Sequence, residues 1–343
     1  MPFKPRFMAT HLAAVPQRDS KQVCRLILDH FPEAPCLPRL TRSTRMYLEG
    51  MPCLVIDSER GKLSFDLSPE REHELLEFYE RVIADDVDYF AISEASAPGV
   101  YALVRALQQE PPPELKVVHI QTPGPVSWAM TAVDQNGAPA FYNETMRDIM
   151  VKTLAMKARW QERMVREALP GVATLLDYGE PALVIHTSAV GSGARADLIK
   201  AMNEVLDAVE GMAGVHCCAN IDWSILLESH ADWINFDAFE YADRLALYPD
   251  DLKRFLARGG MLAWGVVPVF DEKIAAESVD SLVQRVEQGM QIMVDKGIDR
   301  ELLAGSSWIT PACSTASMSL PMAERAFAYT RDVSRWLRER YFG

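Results

Sequence analysis

The chain has 343 residues and a net charge of −13, and 49% of its residues are hydrophobic while 24% are charged. This length and mixture are typical of one large soluble α/β domain with a sizeable core. The negative charge argues against a nucleic-acid partner and against binding to an anionic membrane surface. No apolar run reaches the roughly 18 residues that a membrane span requires.

The six cysteines are expected to be reduced thiols. They are Cys24, Cys36, Cys53, Cys217, Cys218 and Cys313. A chain of this size does not need disulfides, adjacent cysteines rarely bridge, and no signal peptide opens the sequence. We therefore expect a cytoplasmic protein.

Three strands are predicted in the amino-terminal part, at residues 7–13, 89–94 and 116–121. After the first strand, apolar residues at helical spacing predict a helix from Asp19, and three prolines at 32, 35 and 38 then break regular structure. Two apolar runs around Glu59-Arg60-Gly61 predict a hairpin within 53–67. This hairpin belongs to an insertion at about 35–70, outside the strand–helix repeat.

The rest of the chain alternates strands and helices. The predicted strands lie in 174–188, 214–219, 233–239, 261–268 and 307–313. The predicted helices lie in 69–85, around 140–168, and in 195–209, 222–230, 249–258, 279–296 and 321–340. Eight strand–helix units predict a single (β/α)8 TIM barrel domain over residues 1–343. An open doubly wound sheet is the alternative, but no G-x-G-x-x-G fingerprint follows an early strand.

Metal-binding residue types stand at the ends of several predicted strands. His216 and Cys218 are two residues apart, so they share one face of a strand, and Cys217 points the other way. Cys313 ends the last strand, and a parallel barrel brings the carboxyl ends of its strands together. One imidazole, two thiolates and an open position are typical of catalytic zinc. The alternative is a hydrogen-bonded core histidine beside buried cysteines.

A carboxylate is expected to complete the ligand set. Asp237 ends the predicted sixth strand, and Glu240 follows three residues later. Either side chain can reach a metal at the barrel mouth, and either can instead be a solvated loop acid. The residues alone leave this choice open.

Four strings in the carboxyl-terminal half carry a family resemblance. They are His216-Cys217-Cys218-Ala219-Asn220, Asn235-Phe236-Asp237-Ala238, Gly259 to Pro268, and Ile309 to Cys313. They resemble the barrel shared by cobalamin-independent methionine synthase and uroporphyrinogen decarboxylase, and in particular the short single-barrel "core" methionine synthases. The resemblance is specific in this half and loose in the amino-terminal half.

The resemblance implies a ligand set and a reaction. Zinc would be bound by His216, Cys218 and Cys313, with Asp237 favoured over Glu240 as the carboxylate. The activity would be methyl transfer to a small-molecule thiol. The methyl donor would be a methylated corrinoid, either free methylcobalamin or a corrinoid protein.

The chain departs from the family where the family binds the amino-acid end of homocysteine. Leu12 to Pro16 replace the family's I-G-S-L/F-P, and Gly179-Glu180-Pro181 replace D-E-P, with Asp177 two residues earlier. Thr44 stands where the family has a glutamate, and C-G-T-G becomes Cys313 to Ala316. We therefore expect an acceptor that differs from homocysteine, with Arg42 or Arg45 pairing with an anionic tail.

Further candidates surround this acceptor site. The predicted substrate-binding residues are His11, Ala14, Glu94, Asp177, Glu180 and Trp264, and His186 is a second candidate proton carrier. Asn220 and Asp222 are predicted to orient a metal ligand from behind. The alternatives are core or loop histidines, a helix cap at Asp222, and a buried barrel tryptophan.

Two other functions compete with methyl transfer. A decarboxylase of the porphyrinogen type needs no metal and uses an arginine-rich pocket, and a non-catalytic barrel would only bind a ligand or a corrinoid protein. The sequence leaves the acceptor, the donor and the oligomeric state open.

Overall fold

The computed structural model describes residues 3–40, 45–57, 59, 62–186 and 192–343. The strands in these ranges are β1 (Met8–Ala9), β2 (Leu54–Asp57), β3 (Lys62–Phe65), β4 (Val117–Pro123), β5 (Ala132–Val133), β6 (Ala173–Gly179), β7 (Met212–Cys217), β8 (Trp233–Phe236), β9 (Met261–Val267) and β10 (Ser307–Pro311).

Helices connect the strands and cover the outside of the sheet. The α-helices are α1 (Ser20–His30), α2 (Glu72–Ile83), α3 (Pro98–Gln109), α4 (Pro125–Ala129), α5 (Glu144–Ala168), α6 (Leu183–His186), α7 (Ser192–Leu206), α8 (Ser224–Glu228), α9 (Ala238–Leu245), α10 (Pro249–Ala257), α11 (Asp271–Ala275), α12 (Val279–Asp295), α13 (Arg300–Gly305) and α14 (Leu320–Phe342). In the described ranges, no helix is both long and apolar enough to cross a bilayer.

Seven of the strands form one parallel sheet in the order β1-β10-β9-β8-β7-β6-β4. Each of these strands is followed by at least one helix, and the sheet curls so that its carboxyl edges face the same end. This is the strand–helix alternation of a TIM barrel. The predicted fold class is confirmed.

The position between β1 and β4 is occupied by the irregular segment 33–39. Leu37 N donates to His119 O of β4 over 2.8 Å, and His119 N donates to Pro35 O over 2.9 Å. On the other side, Arg39 N donates to Ala13 O over 2.7 Å. The segment therefore closes the barrel by backbone hydrogen bonds to both neighbours, although its prolines keep it from forming a regular strand.

This closure corrects the prediction for the second strand. Residues 89–94 begin within a short 3₁₀ helix (Val87–Phe90) and form no strand. The apolar pattern there has a different cause, since Phe90 and Ile92 are buried in the core beneath the helices. Three closely spaced prolines indicated an irregular segment correctly, but an irregular segment can still provide a barrel position.

The predicted hairpin insertion is confirmed. β2 and β3 pair antiparallel, and β5 adds to β3 in parallel, forming a separate three-stranded sheet. Val55 and Ile56 on β2 are exposed, so this small sheet covers little of the core.

The barrel interior changes from apolar to polar towards the carboxyl ends of the strands. Its floor is apolar and includes Met8, Val117, Leu175, Trp233, Met261 and Trp308. Two residues further along the strands lie the fully buried polar residues Thr10, His119, Asp177, Asn235 and Thr310. Asn235 is in register with His216 of the adjacent strand. The polar layer thus supports the barrel mouth from below.

Candidate metal centre

Three strand-end residues converge at the mouth of the barrel. One ligand atom from each of His216, Cys218 and Cys313 lies within 4.8 Å of the other two. The two sulfurs are 3.6 Å apart, although 95 residues separate them in the chain. The three side chains therefore lie close enough together to bind one metal ion.

The last strand presents Cys313 through an irregularity. Strict alternation from Trp308 and Thr310 would place Ala312 on the inner face and Cys313 on the outer face. However, the register between β9 and β10 slips by one residue between Thr310 and Pro311. Such bulges redirect side chains next to functional sites. Both Ala312 and Cys313 consequently line the cavity at the mouth.

The imidazole of His216 is oriented by Asn235. Its Nδ1 is hydrogen-bonded to Asn235 Oδ1, and the amide of Asn235 is fixed in turn by donating to Ala263 O (3.0 Å) and to Thr310 Oγ1 (2.6 Å). With the proton on Nδ1, the lone pair of Nε2 is free. Nε2 is buried and has no hydrogen-bond partner. This arrangement is typical of a metal-binding histidine, in which one ring nitrogen binds the metal and the other is held by a hydrogen bond.

The contact between the two thiols shifts their pKa values in opposite directions. The hydrogen bond from Cys313 and the adjacent His216 lower the pKa of Cys218 to about 4 despite its burial. The pKa of Cys313 is raised, first because of its bond to Cys218 and then because of burial. These contacts thus favour the thiolate form of Cys218, which is the form that binds metals.

The donor set fits zinc. Two sulfurs at about 2.3 Å from a tetrahedral zinc ion lie about 3.8 Å apart, close to the 3.6 Å found between Cys218 and Cys313. The unpartnered Nε2 of His216 supplies a nitrogen donor. Three protein ligands and a free fourth position are characteristic of catalytic rather than structural zinc.

The two candidate carboxylates lie beside this trio but have other partners. Asp237 caps α9, because its carboxylate accepts from Glu240 N over 3.0 Å. Burial raises the pKa of Asp237 to about 6. Glu240 is ion-paired with Lys273 at the rim. Neither carboxylate is a member of the three-residue group, although both line the cavity beside Cys218 and Cys313.

A cavity of about 370 Å³ opens beside Cys218 and Cys313. Its other lining residues are Ala14, Arg39, Asp237, Phe239, Glu240, Pro268, Val269, Phe270, Lys273, Ala312, Ser314 and Ser317. This volume suits a small organic molecule. Among the predicted substrate residues, Ala14 lies in this lining.

His11 and Glu94, two of the predicted substrate residues, lie away from the cavity. His11 is fully buried between Phe31 and Phe327, and burial lowers its pKa to about 3. Glu94 is at the surface, paired with Arg105. His11 is therefore a core histidine, and Glu94 is a surface acid.

Trp264 also has a structural position. Its side chain is fully buried, its ring packs against Phe236, and its Nε1 donates to Ser307 Oγ over 3.0 Å. On β9, strict alternation puts this residue on the face opposite to Ala263 and Gly265. It therefore packs on the helix side of the sheet, against Gly289 of α12.

The two candidate acids of β6 are buried below the mouth. Glu180 accepts from Val126 N and Ser127 N, both over 2.8 Å, and from Ser127 Oγ, so it caps α4. Burial raises the pKa of Glu180 to about 7. Asp177 accepts from Gln121 Nε2 over 2.7 Å within the polar layer. Neither acid lines the cavity.

The residues predicted to act from behind the metal have other positions as well. Asn220 is exposed, and Asp222 accepts from Ser224 N and Oγ at the start of α8. Arg42 and Thr44 lie outside the described residues, and the side chains of Arg45 and His186 are not described. The roles proposed for these arginines stay predictions.

Sequence reasoning did not identify two residues at this site. Asn235 is hydrogen-bonded to His216. The sequence pattern could have identified it, because Asn235 is two residues before Asp237 and so lies on the same face of the strand. Arg39 lines the cavity from the segment that closes the barrel. Finding it required knowing that this proline-rich segment is part of the barrel.

Comparison with known proteins shows the fold. No family model and no curated protein sequence matches the chain. A B12-independent methionine synthase from Shewanella sp. W3-18-1, solved with selenomethionine, has a TM-score of 0.58 and 12% identity over 97% of this chain and 98% of that one. A putative vitamin-B12 independent methionine synthase from Listeria monocytogenes has a TM-score of 0.55 and 12% identity, with 98% of each chain covered.

A glycoside hydrolase structure is also among the matches, at a lower TM-score. The GH113 β-mannanase AaManA from Alicyclobacillus acidocaldarius matches with a TM-score of 0.43 and 12% identity over 99% of this chain and 97% of that one. At 12% identity the likeness to the two methionine synthase structures shows the barrel fold alone, and the chemistry has to be argued from the site.

The orienting role of Asn235 leads to a prediction. We expect Asn235→Leu to weaken zinc affinity by about 10- to 100-fold, because the imidazole loses the partner that fixes its orientation. Competition against a chromophoric chelator measures this affinity. Thr310→Val is the matched control, since it alters the same network one step further from the imidazole and should cost less. Equal affinities for Asn235→Leu and the unmodified protein would contradict the assigned role.

Proposed function

We propose that the protein is a zinc-dependent methyltransferase that moves a methyl group from a methylated corrinoid to a small-molecule thiol. The observation that carries this proposal is the convergence of His216, Cys218 and Cys313 on one point, with the remaining side open to the cavity. The similarity of the barrel to methionine synthase structures supports it at the level of the fold.

The bound zinc would supply a Lewis acid that lowers the pKa of an acceptor thiol, so that a thiolate exists at neutral pH. Cys218 and Cys313 would hold the ion with His216, and Asn235 would keep Nε2 of the imidazole pointing at it. Asp237 lies at the cavity wall and is available as a further ligand if its cap to Glu240 N opens.

The transfer itself is a displacement at carbon. The acceptor sulfur donates an electron pair to the methyl carbon, the carbon–cobalt bond breaks, and its electron pair stays on the corrinoid. The thiol proton is released to solvent. The apolar cavity walls, with Val269 and the rings of Phe239 and Phe270, would hold the small acceptor and limit the access of water.

The decarboxylase alternative has less support. Among the described residues, the lining contains a single arginine, Arg39, whereas the decarboxylase uses an arginine-rich pocket. The thiol and imidazole cluster would also have no task in a metal-free decarboxylation. Metal analysis of the purified protein separates the two functions, because only the methyltransferase requires zinc.

The test of the proposal is demethylation of methylcobalamin by the zinc-loaded protein with a panel of thiols, followed by absorbance. We expect thiol-dependent loss of methylcobalamin that disappears in Cys313→Ala. A methylated corrinoid protein is the second donor to test. Zinc-loaded protein that demethylates neither donor with any thiol would contradict the proposed function.

A further inference from the structure

Some charged side chains around the cavity are paired with an opposite charge, and others are not. Four ionisable side chains other than the thiols line it: Arg39, Asp237, Glu240 and Lys273. Glu240 and Lys273 pair with one another, and the carboxylate of Asp237 is occupied by the backbone of α9. In the described part of the chain, Arg39 is hydrogen-bonded to Tyr47, but it has no ion pair with a carboxylate, and its buried Nε has no hydrogen-bond partner. The charge of Arg39 is therefore not paired with a carboxylate among the described residues.

The backbone of Arg39 is fixed at this position. Arg39 N donates to Ala13 O over 2.7 Å, and Val15 N donates to Arg39 O over 3.2 Å. These bonds belong to the segment that closes the barrel, so the guanidinium projects from the scaffold and not from a free loop. A half-buried guanidinium whose Nε donor is unused favours a bidentate anion.

The two acids of the cavity lining already have partners, because Asp237 accepts from Glu240 N and Glu240 is ion-paired with Lys273. The three acids that the sequence predicted to bind the substrate are occupied elsewhere: Glu94 pairs with Arg105, Glu180 caps α4, and Asp177 lies in the buried layer. A zwitterionic amino acid would leave its ammonium without a partner, which is costly in a desolvated site.

We propose that the acceptor is a short thiol ending in an anionic group, a carboxylate or a sulfonate, with no free amino group, and that Arg39 binds this anion. The inference rests on the proposed function, since it places the sulfur of the acceptor at the metal centre. Arg39 is then the residue that determines acceptor specificity.

The experiment uses the protein loaded with Co²⁺ in place of zinc, because a thiolate that binds cobalt gives a charge-transfer absorption band. Titrations compare 3-mercaptopropionate, 2-mercaptoethanesulfonate, neutral 2-mercaptoethanol and homocysteine. We expect the anionic thiols to bind about 10- to 100-fold more tightly than 2-mercaptoethanol. This is the gain in affinity expected from one charge-assisted bidentate contact with Arg39. The ratio between carboxylate and sulfonate identifies the preferred anion.

Arg39→Gln should remove this preference and leave the affinity for 2-mercaptoethanol unchanged, which also shows that the metal centre is intact. Arg39→Lys should keep part of it, since lysine retains the charge without the bidentate geometry. Lys273→Gln is the matched control and should change the preference less than about threefold, because the charge of Lys273 is already paired.

The outcomes separate the two proposals. Failure to bind cobalt, or the absence of a thiolate band with every thiol, would overturn the proposed function. Thiolate bands with equal affinities for charged and neutral thiols, or tightest binding of homocysteine, would overturn only the inference about the acceptor. A preference lost in Lys273→Gln and kept in Arg39→Gln would also overturn it.

Discussion

Replacing Cys218 or Cys313 by alanine is expected to abolish tight zinc binding. Each variant removes one of three donors that converge within 4.8 Å. Removing only the hydrogen-bond partner of a metal ligand typically weakens metal binding by about 10- to 100-fold. Removing the ligand itself should therefore weaken binding by more than about 100-fold. Zinc content after dialysis against a competing chelator measures the effect.

Thermal denaturation gives a second readout of the same change. Zinc that binds only the folded protein stabilises it by about 4 kcal/mol at a thousandfold excess over the dissociation constant. We expect added zinc to raise the melting temperature of the unmodified protein and to have little effect on Cys218→Ala or Cys313→Ala.

Cys217→Ala is the matched control for these variants. Cys217 is adjacent to Cys218 but fully buried on the opposite face of β7, where burial raises its pKa to about 12. This variant should lose some packing energy and retain its zinc. If all three cysteine variants bind zinc equally well, no metal centre exists at this position.

Sequence spacing was sufficient to predict the shared face of His216 and Cys218, because alternation along a strand is a local rule. It was also sufficient to bring Cys313 to the same end of the molecule, because all parallel strands of a barrel end at one edge. Local rules did not determine the final approach of Cys313, which depends on the irregular register between Thr310 and Pro311.

The closure of the barrel could not be predicted from periodicity. Residues 33–39 have no alternating apolar pattern, and prolines remove two backbone donors from the segment at positions 35 and 38. Its place is set by tertiary contacts, namely hydrogen bonds to the backbone of His119 on one side and Ala13 on the other. Arg39, on which the acceptor proposal depends, reaches the cavity only because of this closure.

The positions of the acids depended on partners that are distant in sequence. Glu180 follows β6 immediately and looks like a pocket residue, but it satisfies the free N–H groups of α4, which lie more than fifty residues earlier in the chain. Competition between a cap and a ligand cannot be resolved from one sequence, because it depends on which backbone donors lie nearby.

Lys157 provides the second large effect, on stability. Its side chain on α5 is fully buried, and its ammonium donates only to Phe90 O over 3.3 Å among the described residues. Burial lowers the pKa of Lys157 to about 8, an effect that the charge of Glu49 partly offsets. At neutral pH the folded protein therefore holds a buried charge that the unfolded chain keeps in water.

The pH dependence follows from proton binding. Between about pH 8 and the ordinary lysine pKa of about 10.4, the unfolded chain keeps the proton that the folded protein has lost. The free energy of unfolding should consequently rise with pH in this window, by about 3 kcal/mol in total at about 1.4 kcal/mol per pH unit. Below pH 8 the full penalty of the buried charge remains.

Lys157→Met is expected to stabilise the protein by about 2 kcal/mol at pH 7, since the charge penalty exceeds the hydrogen bond to Phe90 by about this amount. At pH 10 the two proteins should have nearly equal stability. Urea denaturation at both pH values measures the difference. Lys152→Met, which removes the partner of Asp148 and Glu204, should instead lower stability by about 1 kcal/mol or less at both pH values. A Lys157→Met variant that is less stable at pH 7 would show that the ammonium contributes to folding, through contacts stronger than the one to Phe90.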